Sequence, residues 1–177
     1  MIKAVLACVV LLAPGVASAD VVEKGAAGFT IQTAFTVPGP PATAYATVVN
    51  VKEWWDKAHT YSGDAKNLTL TAAPGGCFCE ALPGGGVQHG LVALAWPGQM
   101  LRIIGALGPL QGLGVTGAMT WEFEPVPEGT KVTFSYIVGG HSSTGLDALA
   151  EPVDGVLTQQ MRLLKAYAER SAARTSR

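Results

Sequence analysis

Two neighbouring runs constrain the fold of this chain more than anything else in it. In Thr116–Glu124, Ala118, Thr120, Glu122 and Glu124 alternate with Met119, Trp121 and Phe123. After a turn from Pro125 to Gly129, Lys131–Val138 puts Val132, Phe134, Tyr136 and Val138 on one face. A period of two belongs to strands buried on one side, and a short Pro/Gly-containing break between two such strands makes a hairpin. The remaining strands follow by the same logic. Phe29, Ile31, Phe35 and Val37 alternate with polar or small residues, with only Thr33 weakening the apolar side. Asn67–Ala73, Cys77–Leu82, Val87–Trp96 and Met100–Ala106 are separated by Pro74-Gly75-Gly76, Pro83–Gly86 and Pro97-Gly98. Turns this short join antiparallel neighbours. Gly105–Gly114 reads as an apolar, Gly-rich loop, and residues 59–64 as a polar one.

Helices are expected in two places. After Pro38–Pro41, the stripe Ala44, Tyr45, Val48, Val49 and Val51 indicates helix, breaking near Asn50 into two short pieces. At the end of the chain, Val153, Val156, Leu157, Met161, Leu164, Tyr167 and Ala168 follow the i, i+3, i+4 spacing of a long amphipathic helix, with Pro152 in its first turn. The expectation is an α+β fold: a curved antiparallel sheet of seven strands wrapped around a long C-terminal helix, with two short helices after the first strand. The helix must bury its stripe, and the concave sheet face is the large partner available.

The N-terminus reads differently. Lys3 precedes an uncharged apolar run to Ala13, Pro14-Gly15 breaks it, and Ala17-Ser18-Ala19 is a small-x-small pattern before Asp20. That is the layout of a secretory signal peptide cleaved after Ala19, with periplasmic or secreted localisation expected. The run is too short for a span of about 20 apolar residues, so no stable membrane insertion is expected after cleavage. The organisation expected is therefore a leader over 1–19, a linker over 20–27, the domain over 28–170 and a flexible tail over 171–177. Charge bears on partners: 14% of residues are charged and the formal net charge is −1. This is not the basic footprint of a nucleic-acid binder, and no nucleic acid is expected as partner.

Several stretches carry a resemblance. Ala42–Val49 leading to Trp54-Trp55, Pro74-Gly75-Gly76 opening a strand, and His89-Gly90-Leu91-Val92 are three of them. Thr120–Pro125, Gly129–Phe134 and the closing run Val156-Leu157 through Leu163–Tyr167 complete the set. Together these resemble the START-like (SRPBCC) superfamily of helix-grip proteins, which includes polyketide cyclase/dehydrase-like and lipid-transport-like members. The resemblance spans about residues 28–170. It implies an apolar cavity between sheet and C-terminal helix, and it implies no particular chemistry, because the superfamily is defined by its cavity and not by a catalytic signature.

Candidate site residues follow from which side chains face such a cavity. Trp55, Met119, Trp121, Phe123, Phe134, Leu157 and Met161 are its expected apolar lining. His89, Arg102 and Tyr136 are its expected polar groups, with His89 and Tyr136 as acid–base residues if the protein is an enzyme. Alternation leaves Arg102 open, since Leu101 and Ile103 are as apolar as Met100 and Ile104. His59 and His141 fall in expected loops. Cys77 and Cys79 share a strand face and fit two small hydrophobes, an i,i+2 disulfide or half of a soft-metal site. No metal and no cofactor is expected. Three functions compete: a domain binding a small hydrophobic molecule or lipid, a cyclase/dehydratase-like enzyme using the same cavity, and a protein-interaction or chaperone-assisting module. The last would require an exposed apolar patch around Leu107–Val115.

Overall fold

In a computed structural model, residues 20–175 are described. The expected leader over 1–19 lies outside the described residues. The chain forms one eight-stranded antiparallel sheet with the order β1-β2-β8-β7-β6-β5-β4-β3. The strands are β1 (Asp20–Gly25), β2 (Gly28–Val37), β3 (Leu68–Leu70), β4 (Cys77–Leu82), β5 (Gly85–Trp96), β6 (Met100–Gly105), β7 (Gly114–Val126) and β8 (Gly129–His141). Helix α1 (Pro41–Val49) and a 3-10 turn at Val51–Glu53 follow β2, and α2 (Asp147–Thr175) closes the chain. Further 3-10 turns stand at Lys57–His59, Ala65–Asn67 and Gly108–Gly112.

Seven of the strands are those the alternation indicates. The eighth, β1, is a correction: Asp20–Gly25 is not linker but an edge strand paired to β2, with Val21 opposite Ile31 and Gly25 opposite Gly28. Only Val21 among its residues is half-buried, so no period-two signal exists to betray it. Charged side chains on such an edge discourage pairing with another chain. A second correction concerns the tail, which is helical as far as Thr175. A third concerns Pro152, which sits at the sixth position of α2 and not in its first turn. The helix begins earlier because Leu146 and Ala150 are both fully buried, and the i→i−4 hydrogen bond to the Ala148 carbonyl is forfeited as the cost.

One face of the sheet holds the core. Phe29, Ile31, Phe35 and Val37 of β2, Met119, Trp121 and Phe123 of β7, and Val132, Phe134, Tyr136 and Val138 of β8 are all buried on it. Leu157, Met161 and Leu164 of α2 close over them. Tyr136 fits because its ring lies across Gly117 of the neighbouring strand, where a Cβ would overlap it. At the other end α1 and the 3-10 turns carry the chain from β2 across to the far edge of the sheet. Trp54 fixes that crossing by donating its indole N–H to the Thr47 and Val48 carbonyls at the end of α1 (3.1 and 3.2 Å).

Candidate functional site

Of the ten residues expected at a site, nine are brought to the inner side of the sheet and one is not. Arg102 is the exception and a correction. Its strand neighbours Leu101 and Ile103 are fully buried, so it points to the outer face with Thr120 and Ser135 of the adjacent strands. There its guanidinium donates to Thr120 Oγ1 (3.0 Å) and Met100 Sδ (3.4 Å). Apolar flanks on both sides of Arg102 hid this from alternation.

The inner apolar residues lie too close together for the open hollow that the resemblance implies. Met119, Phe134 and Tyr136 are 0% exposed, and Leu157 and Met161 are 1%. Side chains lining a void of water size would keep accessible surface, so no such void touches them. Depressions of useful size lie elsewhere. One of about 360 Å³ runs between α2 and residues 52–66, with Trp54, Trp55 and Leu163 on its apolar side and Lys52, Lys66 and Arg170 around it. Another of about 270 Å³ lies on the outer face beside Trp96, Met100 and Glu122.

The polar groups of the interior divide in two. Some are fully engaged. The Tyr136 hydroxyl donates to the Gly105 carbonyl and accepts from the Leu107 amide, both at 3.3 Å. Burial pushes its pKa up to about 12, against a smaller lowering by the Leu107 amide, so near neutral pH it is a donor and not a base. Its role is to tie the 3-10 turn at Gly108–Gly112 to the sheet. Others have no protein partner at all: Tyr45 Oη, Trp121 Nε1 and Gln160 Nε2 are buried and unpaired, in residues 6%, 2% and 0% exposed.

The best-built polar group is only half visible in the sequence. His89 Nε2 lies 3.1 Å from Oε2 of Glu80, and both residues are buried. A register shift in the pairing of β4 with β5 explains the inward aim of His89. Phe78 faces Gly90 while Cys79 faces Gln88, so His89 is the extra residue of a bulge, a device that re-aims side chains. Glu80 also accepts the backbone N–H groups of Tyr61 (3.1 Å) and Ser62. Burial pushes the Glu80 carboxyl up, but hydrogen bonds from Ser62, Tyr61 and His89 outweigh it and leave it below its ordinary value. Burial lowers His89 more than Glu80 raises it, so the imidazole is neutral near pH 7. With Glu80 ionised, the tautomer that fits carries its proton on Nε2 and leaves Nδ1 as an acceptor.

Aromatic rings connect this pair to the groove. Phe78 lies 4.9 Å from the His89 ring, Trp55 lies 5.5 Å from Phe78, and Trp54 lies 5.5 Å from Trp55. Tyr61 covers the outer side at 6.0 Å and bonds the Gly108 carbonyl. Gln160 holds the rim, accepting the Asp56 amide at 2.8 Å. Two of these residues have legible signals. Gln160 is a polar residue at a stripe position of α2, three after Leu157 and four before Leu164. Glu80 shares the strand face of Phe78. His59 and His141 are exposed and belong to no cluster. Among the described residues no group of three or more His, Cys, Asp or Glu could hold a metal, and no helix is long and apolar enough to cross a membrane.

The profile of one sequence family, described as polyketide cyclase / dehydrase and lipid transport, matches residues 28–169. The chain belongs to this family. No curated protein matches it. Solved structures that share its fold do so at low identity. A protein from Rhizobium leguminosarum is 18% identical with a TM-score of 0.58, over 88% of this chain and 99% of that one. The di-domain aromatase/cyclase StfQ of the steffimycin pathway is 18% identical with a TM-score of 0.58, over 83% of this chain and 52% of that one. The Aha1 dimer from Colwellia psychrerythraea is 19% identical with a TM-score of 0.56, over 79% of this chain and 96% of that one. At such identities the fold is what is shared.

Proposed function

We propose that this protein binds a small hydrophobic or amphipathic molecule between the sheet and α2, admitted through the groove beside Trp55. One observation carries the reading: the unpaired polar atoms of Tyr45, Trp121 and Gln160 inside an interior whose other polar groups, Glu80, His89 and Tyr136, are hydrogen-bonded. The large majority of buried side-chain polar atoms in native proteins are hydrogen-bonded to protein or ordered water, and an unpaired one costs roughly 1–3 kcal/mol. Three in one small interior fit a binding function, in which apolar burial supplies affinity and a few polar atoms set orientation. The compact interior then belongs to the closed form, and Trp55 and the turn around residues 56–64 must move for a ligand to enter. Secretion, read from residues 1–19, is part of the same proposal, with binding outside the cytoplasm.

The test is incubation of the full chain with a total bacterial lipid extract, followed by native mass spectrometry. One bound molecule per chain is expected, lost on Trp121→Phe together with Gln160→Leu. Recovery of the bare chain alone from extracts of several polarities would refute the proposal.

A cyclase/dehydratase-like reaction is the second reading, and the Glu80–His89 pair is the observation that favours it. A carboxylate that fixes an imidazole by one nitrogen and leaves the other as acceptor is the arrangement of a general base. Tyr136, the other acid–base candidate, is engaged by Gly105 and Leu107 and unsuited to that role. For the chaperone-assisting reading, the stretch Leu107–Val115 offers one exposed large apolar side chain, Leu113 at 38%, while Leu110 is 2% exposed and Leu107 and Val115 are half-buried.

A further inference from the structure

Cys77 and Cys79 lie on the outward side of β4, half-buried, and are joined by a disulfide. Their Cα atoms are 5.4 Å apart. Two residues of extended strand cover about 6.6 Å, so β4 is shortened here by roughly 1.2 Å. The shortening falls at a telling place. It coincides with the step at which β5 carries His89 as an extra residue, between the pairs Phe78–Gly90 and Cys79–Gln88. Glu80, next in the chain after Cys79, holds His89, Tyr61 and Ser62 at once.

We propose that Cys77 and Cys79 are a reversible dithiol–disulfide site whose state sets the length of β4 opposite the His89 bulge, and with it the contacts made by Glu80. The chemical class that would act on it is a small dithiol or a protein dithiol. A thiolate of the reductant attacks one sulfur, forming a mixed disulfide and releasing the other cysteine. The second reductant thiol then displaces the first cysteine. Two electrons and two protons pass to the protein, which becomes Cys77-SH and Cys79-SH, and the reductant leaves as its own disulfide. Once free, β4 can extend by up to about 1.2 Å. A shift of Glu80 by about 0.4 Å along the bond, a third of that extension, carries the 3.1 Å contacts from Tyr61 and His89 to the 3.5 Å at which such a contact ceases to count. The oxidised form is therefore the one in which the loop at Tyr61–Ser62 is clamped. This inference does not depend on which ligand the protein binds, or on whether it binds one.

The test uses the full chain with Cys8→Ser, so that the Cys77–Cys79 pair alone can react. Peptide mass mapping establishes the bridge, and dithiothreitol should add two mass units to the bridged peptide. Hydrogen exchange is then followed in both states. Reduction should lower protection of the Tyr61 and Ser62 amides at least tenfold and leave the β7 and β8 amides unchanged, with reoxidation restoring the first pattern. The double variant Cys77→Ser/Cys79→Ser should show the reduced pattern without reductant. Unchanged protection at Tyr61 and Ser62 after complete reduction would overturn the proposal. So would loss of protection throughout β7 and β8, which would make the bridge a global staple, or failure of the pair to close under oxidised glutathione.

Discussion

Replacing Glu80 tests the polar centre of the fold directly. Its carboxylate accepts from the Tyr61 amide, the Ser62 amide and His89 Nε2. Hydrogen bonds to a charged group are worth about 1.5–3 kcal/mol each. Glu80→Gln keeps one acceptor oxygen and puts an NH2 group against a donor, so one such bond is lost and the loss should be about 2 kcal/mol. Glu80→Ala leaves all three donors unpaired and should cost more, about 3–5 kcal/mol. For a domain of this size, 1 kcal/mol moves Tm by roughly 2–4 °C, so Glu80→Gln should lower it by roughly 4–8 °C at pH 7. The sign of the pH dependence follows from the direction of the shift. Glu80 is held below its ordinary value of 4.5, so its stabilisation is complete above that pH and is lost as pH falls through the lower folded value. The gap between wild type and Glu80→Gln should therefore close in strong acid. His89 supplies an independent readout, because Glu80 raises its pKa. In Glu80→Gln the imidazole should titrate at lower pH, followed by NMR of its ring protons. A gap below about 0.5 kcal/mol at pH 7, or one that persists unchanged at pH 3, would refute this account.

Three further outcomes are expected. Gly117→Ala sets a methyl against the buried Tyr136 ring and should cost about 1–3 kcal/mol in chemical denaturation. Tyr136→Phe removes the hydroxyl that joins Gly105 and Leu107; it should cost about 1–2 kcal/mol and raise hydrogen exchange in residues 107–113 above that in β7. Arg102→Ala, on the outer face, should leave ligand binding unchanged and cost under about 1 kcal/mol, measured by binding and thermal melts side by side.

How much is legible in the sequence differs by element, for physical reasons. The β7–β8 hairpin is readable because both strands bury one face in the core, and burial of one face is what writes a period of two. Thr33 interrupts the apolar side of β2 yet is buried with it, so the pattern survives a polar substitution. Edge strand β1 buries almost nothing and leaves no pattern. The bulge at His89 is a relation between two strands, and neither strand records it alone. Glu80 can be placed on the face of Phe78, but its partners at Tyr61, Ser62 and His89 come from other parts of the chain and meet only in three dimensions. The interior is packed closed where an open cavity is expected, because alternation tells which residues face inward and not how far apart they stand.

The central claim is that the space between sheet and helix receives a ligand, and the indole N–H groups report on it most directly. Trp121 carries an unpaired Nε1 in the interior, whereas Trp96 stands 63% exposed on the outer face. A titration of isotope-labelled protein with a medium-chain fatty acid, followed through the four tryptophan side-chain resonances, separates the two. A saturable shift of the Trp121 signal with Trp96 unmoved is the predicted result. Saturation with Trp121 unmoved, or a shift confined to Trp96, would contradict it.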